Sequence, residues 1–234
     1  MNIEIIESEG SPEELMSNDF FMLSQLNHSS SIILHLYQWN SPSITHGYFI
    51  HPEEHLNLNY LNAKGIKIGR RPTGGGITFH LSDFAFSILV PSHCSQYSLN
   101  TLDNYACVNH FLSRLVSRWS INEVQPELLV KEENVDKDCR AFCMAKATQY
   151  DLIVKGKKLG GAAQRRTKQG FLHQGSLSLA PLSEEFLTNA LKSEKIIQSM
   201  QSESCYLLEH DDEHEIEETR SALRNLMKEM ISSI

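Results

Sequence analysis

Two short stretches of the 234-residue chain carry side chains and backbone suited to handling an anion. The first runs Arg70-Arg71-Pro72-Thr73-Gly74-Gly75-Gly76-Ile77-Thr78-Phe79-His80. Three consecutive glycines clear a piece of backbone of side chains, so that its N–H groups can approach a phosphate or carboxylate, and the arginines beside them supply fixed positive charge. Glycine clusters also mark plain turns, and this stretch alone reads equally as a hairpin loop with two solvated arginines. The second stretch is Lys155-Gly156-Lys157-Lys158, followed by Gly160-Gly161-Ala162-Ala163. A lysine on a glycine turn between two strands can hold its ammonium over a site, although turn lysines are more often solvated. Small residues directly after the turn let another backbone or a thin ligand pass close to the strand.

Composition narrows the chemistry further. Twenty-nine acidic residues against 21 basic ones give a net charge of −8. Such a surface repels a phosphate backbone, which excludes a general nucleic-acid binder and makes any nucleotide site a local basic pocket. No apolar run reaches the length needed to cross a bilayer, and the start, Met1-Asn2-Ile3-Glu4-Ile5-Ile6-Glu7, is acidic where a signal peptide is basic. A cytoplasmic location with no membrane partner is the expectation. The cysteines are Cys94, Cys107, Cys139, Cys143 and Cys205, an odd number without disulfide-scaffold spacing, and free thiols are expected. Cys139 and Cys143 could form half of a metal site, but no second Cys/His pair at zinc-finger spacing follows.

The elements that must position these stretches follow from periodicity. Ile3–Ile6 reads as a strand, and Ser11-Pro12-Glu13-Glu14 opens a helix to about Leu26, with Leu15, Phe20, Phe21 and Leu23 on its apolar side and Asp19 within it. Ser31–Trp39 is a buried strand, a short strand follows Pro42, Pro52–Ala63 is a helix stopped by Gly65, and Ile66–Ile68 starts the strand feeding the arginines. Ile77–Leu81 and Asp83–Val90 read as a hairpin turning at Leu81-Ser82-Asp83. Leu102–Trp119 has the spacing of an amphipathic helix, and Glu127–Arg140 that of an exposed connection. Tyr150–Val154 and Gly170–Leu179 are strands, the latter containing His173. Helices follow at Glu184–Leu191, near Ile196–Met200 and from about Glu215. No repeat or linker divides the chain, so one α+β domain over residues 1–234 is expected.

The two motifs, in this order and followed by Leu172-His173-Gln174-Gly175-Ser176-Leu177, resemble the lipoate–protein ligase and octanoyltransferase group of the biotin/lipoate protein ligase superfamily, from about the N-terminal helix to Leu179. The resemblance implies a mixed central β-sheet flanked by helices, and an enzyme that attaches a lipoyl or octanoyl group to one lysine of a carrier. The carriers implied are apo lipoyl domains of 2-oxoacid dehydrogenase complexes or the glycine cleavage H protein. For a ligase it implies ATP, Mg²⁺ and lipoate, with lipoyl-AMP as intermediate. Lys158 would sit on the acyl carboxyl and the adenylate phosphate. Arg71 with Gly74, Gly75 and Gly76 would hold acyl chain and phosphate from the other side, His80 would close the strand, and Gly160, Gly161 and Ala162 would line a narrow slot for the chain. The residue types suit that chemistry, since a carboxylate attacking ATP develops charge that lysine, arginine and backbone N–H groups stabilise. Lys158→Ala is expected to abolish transfer and leave the fold, because a polar turn residue contributes little to a core.

Three departures shape alternatives. The ligases carry Asn-Asp where this chain has Tyr150-Asp151, which leaves Asp151 as the residue that could meet a metal ion or the nucleotide. Only about fifty-five residues follow the last motif, well short of a typical domain of about a hundred. The C-terminal accessory domain of the larger ligases is therefore expected to be missing here, with a separate accessory subunit as one way to supply it. Finally, the Cys-type octanoyltransferases carry a cysteine fifteen residues before the motif lysine, the spacing of Cys143 to Lys158. A thiolate there could take octanoyl from acyl carrier protein and pass it to an amine. The triple glycine matches the ligases, while the transferases end that triplet in arginine. A ligase is the first reading, transfer through Cys143 the alternative, and a non-catalytic module that binds lipoyl domains or an acyl nucleotide the third.

Overall fold

The computed structural model describes residues 2–131, 139 and 141–234. Its larger sheet begins with β1 (Asn2–Gly10) parallel to β2 (Ser31–Trp39). Next come β6 (Asp83–Pro91), β10 (Gly170–Ser178) and β9 (Lys157–Arg166), each antiparallel to its neighbour, and then β8 (Leu152–Val154) and β7 (Glu127–Leu128). A smaller sheet has β3 (Ser43–His46) between β4 (Lys67–Arg70) and β5 (Thr78–His80). Every residue of β6 is buried, as expected for a central strand covered on both faces.

Alternation along β2 divides the structure into layers. Ile32, Leu34 and Leu36 join a core with Val108, Phe111, Leu112 and Leu115 of α4 (Thr101–Trp119) and Ile216, Leu223 and Met227 of α7 (Glu213–Met230). Ile33 and Tyr37 face the other way, onto Leu15, Met16, Leu23 and Leu26 at α1 (Pro12–Gln25) and just after it. That helix starts as its sequence dictates. The Ser11 hydroxyl accepts from Glu14 N–H at 3.3 Å and the Glu14 carboxylate accepts from Ser11 N–H at 2.8 Å, a capping box with proline at the first helical turn. A third core joins the small sheet to residues 141–145, α5 (Glu184–Ala190) and α6 (Glu194–Glu203).

Four expectations are corrected. The Asp83 strand and its predecessor are not a hairpin, since β5 and β6 lie in different sheets. Ser82 donates to Ala180 O at 2.7 Å and His80 pairs with Asp83, so side chains fix a corner between sheets at this point. Pro52–Ala63 is two helices, α2 (Pro52–His55) and α3 (Leu58–Ala63), divided where Leu56 bridges Leu191 and Asn57 caps the second. The exposed connection of 127–140 begins as strand β7, because Glu127 and Leu128 pair with Ile153 and Leu152. Cys139 within it is buried against Ser199, and residues 132–138 and 140 lie outside the described residues. The basic turn is confined to Lys155 and Gly156, both at positive φ, while Lys157 and Lys158 belong to β9. Among the described residues no helix is long and apolar enough to cross a membrane.

Candidate functional site

Strand alternation selects one lysine of the basic turn. Lys155 and Lys157 are exposed, whereas Lys158 is 3% exposed and points inward. A register shift between Leu152 and Ile153 accompanies this, so that Ile153 pairs Lys158 while Leu152 pairs Gly160. The Lys158 ammonium meets Asp151 Oδ2 at 2.6 Å and donates to the carbonyls of Cys143 at 2.8 Å and Lys146 at 3.1 Å. Asp151 Oδ2 also accepts from the N–H and hydroxyl of Thr148, at 2.7 and 2.9 Å. Gly161 makes room for this head group, since a Cβ there would lie 2.6 Å from Lys158 Nζ.

The triple-glycine loop folds over the same place. Arg71 is buried, and its guanidinium donates to Thr45 Oγ1 at 2.7 Å, Thr78 Oγ1 at 3.3 Å and the carbonyl of Gly76. Among the described residues no carboxylate lies within ion-pair distance of it. Gly75, at φ +83°, is exposed, and a Cβ on it would lie 3.3 Å from the Ala163 methyl and 3.9 Å from Cys143 Sγ. Among the described residues, the N–H groups of Gly74 and Gly75 find no protein acceptor. Gly76 has a steric reason to be glycine: a Cβ would lie 2.6 Å from Ala141 O, where the segment carrying Cys143 crosses. That segment is fastened to the strand after the loop by Ile77 N–H to Ala141 O at 2.7 Å and Cys143 N–H to Ile77 O at 3.0 Å. Glycine at 76 therefore does not by itself mark a ligase. Gly76→Ala is expected to destabilise the chain by about 1–3 kcal/mol and to loosen the Cys143 segment; a thermal melt shifted by less than a degree or so would show that the crossing relaxes freely.

Cys143 is thus half-buried between the two motifs. Burial pushes its thiol pKa up, but the Arg71 guanidinium 3.9 Å away, the Lys158 ammonium, the Thr78 hydroxyl and the Gly76 N–H together hold it below the ordinary thiol value. The other half-buried thiols go the opposite way, since burial raises Cys94, Cys107 and Cys205.

A narrow cleft runs inward from this thiol. Arg71, Thr78, Gly161, Ala162 and Ala163 line its mouth, and Met16, Tyr37, Ala85 and Gln174 its inner part. Gly160, within β9, does not line the cleft as expected, because its open side faces β10, where a Cβ would lie 2.8 Å from Leu177 Cδ2 and Ser176 O. His80 forms a wall, with Nε2 at 2.7 Å from Thr45 Oγ1, Nδ1 at 2.7 Å from Asp83 Oδ2 and its ring stacked 4.4 Å from Trp39. Thr45 Oγ1 thus stands between the Arg71 guanidinium that donates to it and His80 Nε2, while His80 Nδ1 meets the Asp83 carboxylate.

The inner end rests on a residue whose role the sequence did not disclose. Asp19 is fully buried in α1 and accepts from His35, Ser87, Gln174 and the Tyr37 hydroxyl. Gln174 in turn accepts from Thr73 at 2.7 Å, tying this network to the glycine loop. Burial, with Asp19 beside it, raises the Tyr37 pKa well above its ordinary value, so the phenol stays a donor. His173 stands next to Gln174 but is held neutral, its pKa pushed down to about 3 by burial. Thr45 was also missed, a polar residue of β3 with no local signal, while Thr78 and Asp83 stood in stretches already singled out, as motif and as turn, without being given a part in the site.

Asp151 is committed to Lys158 and Thr148, and among the described residues no three carboxylate, histidine or cysteine side chains gather as a metal site. This donor set does not make a magnesium cage by itself, since Mg²⁺ needs near-octahedral oxygen ligands.

Fold and cleft together define a class: a mixed sheet flanked by helices, with a narrow, small-residue cleft beside a buried lysine and a half-buried thiol. The chain belongs to the Lipoyl protein ligase A/B catalytic domain family, whose model matches residues 11–228. It is 28% identical over 158 residues to octanoyltransferase LipM of Geobacillus kaustophilus, covering 67% of this chain and 56% of that one. The chain thus spans a little over half the length of that relative. A T. acidophilum structure with bound lipoic acid superposes with a TM-score of 0.70 at 22% identity, over 99% of this chain and 86% of that one. A structure from the structural analysis of an archaeal lipoylation system, a bi-partite lipoate protein ligase and its E2 lipoyl domain from Thermoplasma acidophilum, gives 0.62 at 22% identity, over 99% and 84%. The mixed sheet flanked by helices is the lipoate-ligase catalytic fold.

Proposed function

We propose that this chain is an octanoyltransferase that works through a thioester on Cys143. The observation that carries the reading is the setting of that thiol, at the cleft mouth, with a guanidinium, an ammonium, a hydroxyl and a backbone N–H all favouring its anion. In the first half-reaction Cys143 Sγ attacks the carbonyl carbon of a carrier-bound octanoyl thioester. The new S–C bond forms, the carrier's C–S bond breaks, and the released carrier thiolate takes a proton. In the second, the neutral amine of the acceptor's lysine attacks the Cys143 thioester; an amide forms, the amine proton is lost and the Cys143 thiolate is regenerated. The Gly76 N–H faces the reacting sulfur, and Arg71 and Lys158 supply positive charge where the tetrahedral oxyanion develops. The small-residue mouth accepts the first carbons of the chain, and each buried CH₂ contributes about 0.8 kcal/mol to holding it. The acceptor is a lipoyl domain, a reading supported by the E2 lipoyl domain that is named together with the bi-partite Thermoplasma ligase.

A second reading, ATP-dependent lipoate ligation, is favoured by one feature: the N–H groups of Gly74 and Gly75, beside an Arg71 that meets no carboxylate among the described residues, could seat a phosphate. No step of the transfer above runs through ATP or a metal. Intact-mass measurement separates the two. Octanoyl-loaded acyl carrier protein without ATP is expected to leave one octanoyl group on the chain at Cys143, which then moves to an apo lipoyl domain. An unmodified chain, with lipoyl domain labelled only when ATP, Mg²⁺ and lipoate are supplied, would replace transferase by ligase.

A further inference from the structure

A second cavity lies behind one wall of the cleft. The two are of similar size, with about 490 Å³ of empty space in the second against about 470 Å³ in the cleft. Ile77, Phe79, Ala180, Leu182, Leu187 and Met200 give the second cavity an apolar lining, most of it from the core where the small sheet meets α5 and α6. Hydroxyls at its edge are engaged, since Ser82 donates to Ala180 O at 2.7 Å and Ser176 to Asp83 Oδ2 at 2.6 Å.

Among the described residues, three side chains line both spaces: Thr78, Met144 and Ser176. Thr78 and Ser176 are short and pinned, the first by Arg71 and its pairing with Thr45, the second by Asp83. Met144 is the long one. It follows Cys143 in the 3₁₀ turn of residues 143–145, and Ser204 Oγ donates to its carbonyl at 2.9 Å, so its backbone is fixed. The side chain is held less firmly. It is half-buried, rotates about three bonds, and receives the Ser178 hydroxyl on its sulfur at 3.6 Å, where a thioether is a weak acceptor. One flexible side chain on a fixed backbone therefore divides the cleft of the thiol from the second cavity.

The inner end of the cleft cannot lengthen as easily. It stops on Tyr37 and Gln174, both bonded to Asp19, which also accepts from His35 and Ser87. A chain driven further would leave buried polar groups without partners. Sideways, past Met144, extra methylenes meet apolar lining instead. We propose that Met144 sets the longest acyl chain the Cys143 site accepts, by closing a lateral apolar arm of the cleft. The inference rests on the transferase reading for its substrate: octanoyl takes the inward arm, and the last carbons of a dodecanoyl chain reach lining only when the Met144 side chain is out of the way.

The test supplies octanoyl or dodecanoyl thioesters of N-acetylcysteamine to the full chain and reads the second-order rate of Cys143 acylation by intact mass. Wild type and Met144→Leu, which refills the partition, are expected to prefer octanoyl. Met144→Ala is expected to raise the dodecanoyl-to-octanoyl ratio at least about tenfold, because each newly buried methylene favours binding by about fourfold. A merely loosened fold would slow both substrates and leave the ratio alone. Adding Leu182→Trp, at a half-buried position that lines the second cavity and not the cleft, is expected to cancel the gain. Ser178→Ala keeps the partition but removes its tether; it is expected to move the ratio the same way by a smaller factor, and it carries the test where Met144→Ala lowers stability. An unchanged ratio in the folded alanine variants overturns the inference, as does a gain that survives Leu182→Trp, since the extra room would then lie elsewhere. Should neither thioester acylate any of these chains, the transferase reading falls instead, and the same ratio taken from calorimetric binding of octanoate and dodecanoate still decides the role of Met144.

Discussion

Cys143→Ala is expected to lower acyl transfer from an octanoyl thioester by at least about a thousandfold, as loss of a covalent nucleophile does in other acyl-transfer enzymes. Folding is expected to survive, because Cys143 is only half-buried and its principal restraints are backbone hydrogen bonds that alanine retains. The same substitution leaves Lys158 bound to the carbonyl of residue 143, so the change isolates the sulfur. A pH dependence accompanies it. The Cys143 thiol is held below the ordinary thiol value, so its thiolate is already populated at pH values where the burial-raised Cys94, Cys107 and Cys205 remain protonated. Alkylation by iodoacetamide near neutral pH is therefore expected first at Cys143, falling off as the pH drops through its lowered pKa. Octanoyl-thioester turnover in Cys143→Ala within tenfold of wild type would sink the thioester mechanism, whatever the alkylation order.

Much of the scaffold was legible from residues that act locally. Ser11 with Glu14 fixes the start of α1, and Ser31–Trp39, read as a buried strand from its largely apolar residues, coincides with β2 residue for residue. The site was legible only as two motifs, because what joins them is long-range. Nothing near Cys143 in sequence says that Ile77 will grip its segment or that Gly76 must be bare to let Ala141 pass. The false hairpin at 81–83 has the same origin. The turn residues read correctly as a turn, but the partners that bend β5 away from β6 are Ala180 and Thr45, far along the chain. Asp19 was hidden differently. On a helix it reads as an ordinary polar residue, and only the inward alternation of His35, Tyr37, Ser87 and Gln174 turns it into the floor of the cleft.

Lys158→Ala carries the largest combined effect, and here the structure reverses one sequence expectation. A turn lysine could be removed with the fold intact, but Lys158 is buried in β9 and neutralises Asp151, itself 1% exposed. Among the described residues, removing the ammonium leaves a buried carboxylate with only Thr148 to compensate it, and frees the carbonyls of Cys143 and Lys146. Breaking one side of a buried pair costs about 3–5 kcal/mol, against a typical total stability of about 5–15 kcal/mol. Inactivity in the single variant would therefore not separate chemistry from unfolding. The double variant Lys158→Ala/Asp151→Asn resolves this, because a neutral amide at 151 needs no counter-charge while the cation at 158 stays absent. The double variant is expected to recover most of the lost stability in a denaturant melt and to recover none of the transfer activity. Recovery of activity together with stability would mean that Lys158 serves only to hold Asp151 and the Cys143 segment in place, leaving Arg71 and the Gly76 N–H to stabilise the developing charge alone.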